Sequence, residues 1–131
     1  MTRQAVTSPG APAPVGPYSQ AIATDGFVFC SGQVGLDPAT GQLPDGIEAQ
    51  AERVLRNLSA VLDAAGLTFA DVVKTTILLT SMADFQTVNA IYARYVSDPP
   101  PARATYAVSG LPRGALIEIE AIARRATGSG D

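Results

Sequence analysis

Apolar residues recur along this chain in two rhythms, and the change from one to the other predicts its elements. From Ile47 to Ala65 the apolar positions are Ile47, Ala51, Val54, Leu55, Leu58, Val61, Leu62 and Ala65. Steps of three and four residues are those of one helix face. Glu48 and Glu52 fall in the first turns, where the helix dipole favours anions. Gly66 stands where a left-handed residue would end the helix. A second stripe, Phe85, Val88, Ile91, Tyr92 and Tyr95, predicts a helix from Met82 or Asp84 to Val96. Ser81 and Asp84 have capping-box spacing, with Asp in place of Glu or Gln.

Elsewhere the period is two. Ser19–Thr24 and Phe27–Ser31 flank Asp25-Gly26, a two-residue hairpin signal because both turn positions want φ > 0. Phe27, Phe29 and Ser31 share one face of the second strand, and Val28 and Cys30 the other. The β-branched run Val72–Thr80 predicts a strand with Val73, Thr75, Ile77 and Leu79 on one face. Ala104–Ser109 and Leu116–Arg124 are further strands around a turn at Gly110–Gly114. In the last strand Ile117, Ile119, Ala121 and Ala123 form the helix-facing side. Leu116, Glu118, Glu120, Ile122 and Arg124 form the opposite side.

Prolines punctuate these runs. Pro9, Pro12, Pro14 and Pro17 make an extended connector, Asp37–Gly41 is a polar turn, and Pro99-Pro100-Pro101 ends the second helix. Two amphipathic helices need one apolar surface to cover. A mixed sheet of five or six strands supplies it, giving a two-layer α+β domain with both helices on one face. The 131 residues read as one domain, with 1–4 and 126–131 as flexible ends.

Composition narrows the chemistry. There are no histidines and one cysteine, so Ser-His-Asp and Cys-His mechanisms, histidine metal sites, CxxC motifs and intrachain disulfides are excluded. No metal-spaced cluster, phosphate loop or dinucleotide fingerprint occurs, and no cofactor is expected. The formal net charge is −3, and Lys74 is the only lysine, so there is no basic footprint for nucleic acid. No apolar run approaches the ~20 residues of a membrane span. The opening MTRQAVTSPG lacks a basic segment followed by an apolar one, so a soluble, cytoplasmic protein is expected. At 47% hydrophobic and 16% charged, the chain has apolar surplus for a subunit interface.

Few residues remain for chemistry. Glu118 and Glu120 share a mixed face, with Cα atoms roughly 6.8 Å apart along the strand. An apolar setting raises a carboxyl pKa, as an acid or water-positioning group requires. Arg103 follows three prolines, and its fork matches a carboxylate. Ser31-Gly32 ends the hairpin strand, where glycine permits close approach and an amide beside a hydroxyl suits an anion. Tyr18 follows Gly16-Pro17, and Asn89 lies inside a helix, where asparagine is a mediocre former. Cys30 reads as a buried small hydrophobe with no base to activate it.

Together these segments resemble the RidA (YjgF) superfamily of reactive-intermediate deaminases. The matching stretches are GPYSQA at 16–21, FVFCSGQ at 27–33 and LDPATGQL at 36–43. They continue with VLRNLSAVLDAAG at 54–66, VVKTTILLT at 72–80, DFQTVNAIYARYV at 84–96 and PPARATYAVSGLPRGALIEIEAIA at 100–123. The resemblance implies a chorismate-mutase-like α+β fold, a homotrimer with inter-subunit clefts, and hydrolysis of 2-imino acids to 2-oxo acids and ammonia. It also implies roles. Arg103 holds the substrate carboxylate and Glu120 orients water. Tyr18, Ser31, Gly32 and Asn89 shape the pocket, with Thr105 standing where members commonly carry cysteine. Val34-Gly35 replaces the usual hydrophobic-Pro pair, and the glycine is expected to loosen that loop.

Imine hydrolysis suits this inventory because an imine is already electrophilic and needs only a held carboxylate, one oriented water and a proton shuttle. The rival reading is a non-enzymatic trimer that binds small carboxylates or acts as a chaperone, and turnover of an imine made in situ separates the two. An endoribonuclease is poorly served by an acidic chain without histidine. A shared fold does not carry chorismate mutase activity.

Overall fold

The computed structural model describes residues 2–125. The expected flexible tail at 126–131 lies outside the described residues, as does residue 1. Eight elements form the domain: β1 (Gln4–Val6), β2 (Ala21–Thr24), β3 (Phe27–Val34), α1 (Ile47–Ala64), β4 (Val72–Leu79), α2 (Phe85–Tyr92), β5 (Ala102–Ala107) and β6 (Ile117–Arg124). The strands make one sheet in the order β1-β2-β3-β6-β4-β5. All pairs are antiparallel except β4–β5, which α2 connects as a crossover. Both helices pack on one face, so the two-layer α+β arrangement with six strands is observed.

The core lies between α1 and the sheet. Val54, Leu58, Val61 and Leu62 of α1 are fully buried with Ile77, Leu79, Ile117 and Ile119. The helix ends at Gly66, whose φ of 78° lets Leu67 N–H reach back to the Leu62 carbonyl at 2.8 Å. Asp25 and Gly26 both take positive φ, 51° and 82°, as the hairpin signal predicts.

Several expectations shift. Gln4, assigned to a loose end, pairs with Ala23 and begins β1. The first hairpin strand starts at Ala21 rather than Ser19, because Gln20 turns inward to pin the proline connector. Its carboxamide accepts from Ser8 N–H (2.6 Å) and donates to the Pro12 carbonyl (2.8 Å). α2 ends at Tyr92, not Val96. The chain tightens there into i→i+3 bonds (Arg94 to Ile91, Tyr95 to Tyr92) while Arg94 and Tyr95 reach across to Glu52 of α1. Ser81 caps a single 3₁₀ turn at Met82–Asp84. The reciprocal capping box is instead Thr68–Asp71, ahead of β4. β5 begins at Ala102, two residues early, so Arg103 lies within it.

Two bulges redirect side chains. In β4, Val72 pairs with Ala123 and Lys74 with Ile122, so Val73 is extra and turns outward, 45% exposed, while Val72 takes the core position. In β3, Cys30 pairs with Ala121 and Gln33 with Ile119. Three steps on β3 therefore match two on β6, and the surplus falls at Ser31-Gly32. The loop after β3 is not loosened by Gly35. A Cβ there would lie 2.8 Å from the Gln50 backbone oxygen, so glycine lets α1 approach closely. Asn57, fully buried, donates to the Val34 and Leu36 carbonyls (3.1 and 2.9 Å) and fastens both sides of it.

The other face of the sheet carries no helix. It presents Phe29, Val73 and Tyr106 at 45, 45 and 57% exposure, beside Leu78, Glu118, Glu120 and Ile122. A half-apolar open face on a 131-residue chain is a surface that association would cover.

Candidate active site

The proposed site residues separate into two groups on this chain. Arg103 stands on β5 opposite Thr75, which faces the helices. Its Nη1 donates to Asn89 Oδ1 at 2.8 Å, and its Cζ lies 5.3 Å from the Tyr92 ring centroid and 5.6 Å from that of Phe85. Among the described residues the one ion pair is Arg94–Glu52, so Arg103 has no carboxylate partner. Asn89 therefore has a side-chain task, orienting the guanidinium. Tyr92 is itself fixed by a 2.7 Å hydrogen bond with Thr75. Burial pushes the Tyr92 hydroxyl pKa up, against the opposing pull of the Thr75 bond and the Arg103 charge. Arg103 and Asn89 border an open cavity of about 400 Å³ along the end of α2.

Thr105, two residues on, points to the same side as Arg103. Its hydroxyl is buried and has no hydrogen-bond partner among the described residues. An unpaired buried hydroxyl costs about 1–3 kcal/mol unless a ligand or partner answers it.

The second group surrounds Gly32. Tyr18, half-exposed, lines a small cavity with Gly32, Val34, Glu118 and Arg113. Glu118 lies directly over Gly32: a Cβ on that residue would stand 1.9 Å from Glu118 Oε2. Only glycine leaves room for the carboxylate there. The Glu118 pKa is raised, first by burial and second by the charge of Glu120. Ser31 acts differently from an anion donor. Its hydroxyl donates to the Ser19 carbonyl (2.6 Å) and its N–H to the Gln20 carbonyl (2.9 Å), which ties the Tyr18 segment to β3.

Glu120, the expected water-orienting residue, borders a different cavity. It is exposed, opposite Thr76, and shares that space with Lys74 and Phe29. Strand alternation puts both glutamates on one face and cannot rank them. The Ser31-Gly32 bulge gives them different surroundings, setting Glu118 over the glycine. Ser31-Gly32 does not end the strand, because β3 bulges there and continues to Val34, so the meaning of the glycine depends on the β3–β6 register. Cys30 faces the core, and burial pushes its thiol up to about 11. Among the described residues no cluster of three or more His, Cys, Asp or Glu is placed to hold a metal, and no helix is long and apolar enough to cross a membrane.

Arg103 and Glu118 face opposite sides of the sheet, with β4 between their strands at roughly 9.5 Å across. One chain therefore carries two groups of polar side chains, one around Arg103 and one around Glu118, that do not meet. This defines a class: a two-layer α+β domain whose two polar groups lie on opposite faces of one sheet. Residues 8–125 match the family model described as Endoribonuclease L-PSP, and the chain belongs to this family, the RidA (YjgF) family. It is 53% identical over 122 residues to the 2-iminobutanoate/2-iminopropanoate deaminase of Mus musculus, covering 92% of this chain and 90% of the relative. The structure of RidA from the Antarctic bacterium Psychrobacter is similar at TM-score 0.90 and 44% identity, covering 92% of this chain and 98% of that one. Escherichia coli TdcF with bound serine is similar at TM-score 0.90 and 35% identity, covering 94% and 99%.

Proposed function

We propose that this chain is a hydrolytic deaminase of reactive 2-imino acids, 2-iminopropanoate and 2-iminobutanoate, releasing 2-oxo acids and ammonia. The carrying observation is Arg103: a guanidinium without a carboxylate, oriented by Asn89 and braced on two aromatic rings. Such a fork is prepared for a ligand carboxylate. The deaminase named among its relatives acts on substrates that carry one.

The active form is a cytoplasmic homotrimer. Two unlike halves on one chain suit a head-to-tail interface, which closes into a ring, and the bare sheet face supplies surface for it. The number three comes from the family resemblance. Each site takes Arg103, Asn89 and Thr105 from one subunit and Tyr18, Gly32 and Glu118 from the next, with Ser31 holding Tyr18 in position.

In that site Arg103 fixes the substrate carboxylate, which sets the adjacent C=N carbon beside the acid-base half. Glu118 is the acid-base group in preference to Glu120, because it stands over Gly32 and because burial and the Glu120 charge raise its pKa. Protonated, it donates to the imine nitrogen; ionised, it accepts a proton from the attacking water. Water adds to the carbon and gives a proton to Glu118, which passes it to the amine nitrogen of the resulting carbinolamine. The C–N bond then breaks as the hydroxyl gives up its proton to form the C=O of the oxo acid, and ammonia leaves. Neither histidine nor a metal is needed. The family description names an endoribonuclease. However, a chain with no histidine and net charge −3 offers little for a phosphodiester, so the imine reading is preferred.

The test generates the imine in situ from threonine with a dehydratase and follows oxo-acid release. The wild-type protein should exceed the spontaneous rate, and Arg103→Ala should lower kcat/KM about 100-fold or more, the scale of two charge-assisted hydrogen bonds. Equal rates for the two proteins would refute the assignment. No acceleration by wild type would favour a non-catalytic binder.

A further inference from the structure

A cleft of about 370 Å³ lies between α1 and the loop at 37–44, and it shares no lining residue with either half-site. Arg53 and Arg56 of α1 border one wall; Leu43, Pro44 and Ala49 make an apolar one. Two carboxylates also border the cleft, and each has a hydrogen-bond partner. Glu52 takes Arg94 on one oxygen and the Tyr95 hydroxyl on the other, and Asp37 Oδ1 accepts Ala39 N–H at 2.8 Å. Neither Arg53 nor Arg56 has an acidic partner among the described residues.

Arg53 is also oriented in advance. Its Nε donates to Asn57 Oδ1 at 3.0 Å, and the Asn57 amide nitrogen is committed to the Val34 and Leu36 carbonyls. A buried asparagine with a fixed carbonyl direction thus aims the guanidinium, leaving its terminal nitrogens free. The opposite rim is rigid too. Asp37 N–H reaches the Gln42 carbonyl (2.9 Å), Gly41 N–H the Asp37 carbonyl (2.8 Å), and Gln42 N–H donates to Thr40 Oγ1 (3.2 Å), which leaves the Thr40 hydroxyl proton available.

We infer that this cleft is a second ligand site, separate from the deaminase site, for a small organic anion. Arg53, Arg56 and Thr40 bind its carboxylate or phosphate head, and Leu43, Pro44 and Ala49 hold a short aliphatic body. The pre-oriented Arg53 fork binds an oxyanion with less ordering penalty than a free surface arginine, and Arg56 adds a second charge at the same wall.

The test titrates ¹⁵N-labelled Arg103→Ala protein, in which the deaminase half-site cannot take the anion, with butanoate and separately with inorganic phosphate. Saturable shifts of the Arg53 Nε–Hε and Asn57 side-chain amide signals, fitting one affinity, are expected with at least one probe. Which probe saturates identifies the head group. Adding Arg53→Gln and Arg56→Gln should weaken that affinity on the order of tenfold or more, as loss of charged hydrogen bonds implies, with the remaining spectrum preserved. Shifts that do not saturate with either anion, or an affinity unchanged by the two substitutions, would overturn the inference. Because Arg103 is absent throughout, the result does not depend on whether the imine reading holds.

Discussion

Glu118 shows how one side chain serves conflicting demands. It is half-buried on the open sheet face, two residues from Glu120, and both circumstances favour its protonated form. An unfolded Glu118 would titrate near its usual 4.5, so the folded chain holds that proton more tightly than the unfolded one. The contribution to stability is complete below pH 4.5 and is lost as pH rises through the folded-state value. Glu118→Gln, which keeps the shape without the charge, should raise Tm at pH 7, with the gain fading below pH 4.5, and should slow imine hydrolysis. Thermal melts across that range check this; a variant no more stable than wild type at pH 7 would count against it. The trade of stability for a poised acid is what an active-site carboxyl should display.

At the scale of elements, two glycines a few residues apart have different jobs. Gly35 meets α1 backbone, which cannot retreat without moving the helix, whereas Gly32 meets the far end of the Glu118 side chain, which can swing aside. Gly35→Ala should therefore destabilise the fold by about 1–3 kcal/mol, the range for overpacking. Gly32→Ala should leave the melting curve close to wild type and still cost activity, because Glu118 is displaced. Paired melts and imine assays would separate them; equal stability loss in both would contradict the distinction. The same scale explains what was legible in the sequence. α1 and the Asp25-Gly26 hairpin were readable because their signals are local: a 3.6-residue stripe, a terminal glycine, two positive-φ positions. The inward set on β6 followed from alternation, and Arg103 and Asn89 were recognisable as residues out of place. The bulges at Val73 and Ser31-Gly32 are properties of strand pairing, which no local pattern reports. That is why alternation points to Val73 where Val72 takes the core position, and cannot show that Glu118, not Glu120, stands over Gly32. β1, three residues long, exists only through its partner β2 and has no periodicity of its own.

For the whole molecule, the arrangement of faces matters more than any single residue. One sheet face is sealed by α1 and α2, and the other is bare and partly apolar. Arg103 lies on the helix side at the β5 edge, and Glu118 on the bare side beside β3. On the proposed reading neither completes a site alone, so catalysis requires assembly and the folded monomer is expected to be inactive. Mixing two damaged chains tests this most directly. Arg103→Ala and Glu118→Gln chains, each nearly inactive by itself, are unfolded together in equal amounts, refolded and assayed for imine hydrolysis. A site built from Arg103 of one subunit and Glu118 of the next is intact whenever the two chains fall in the right order, so about one quarter of wild-type activity should return. Activity no greater than that of the separately refolded parents would contradict a site shared between subunits.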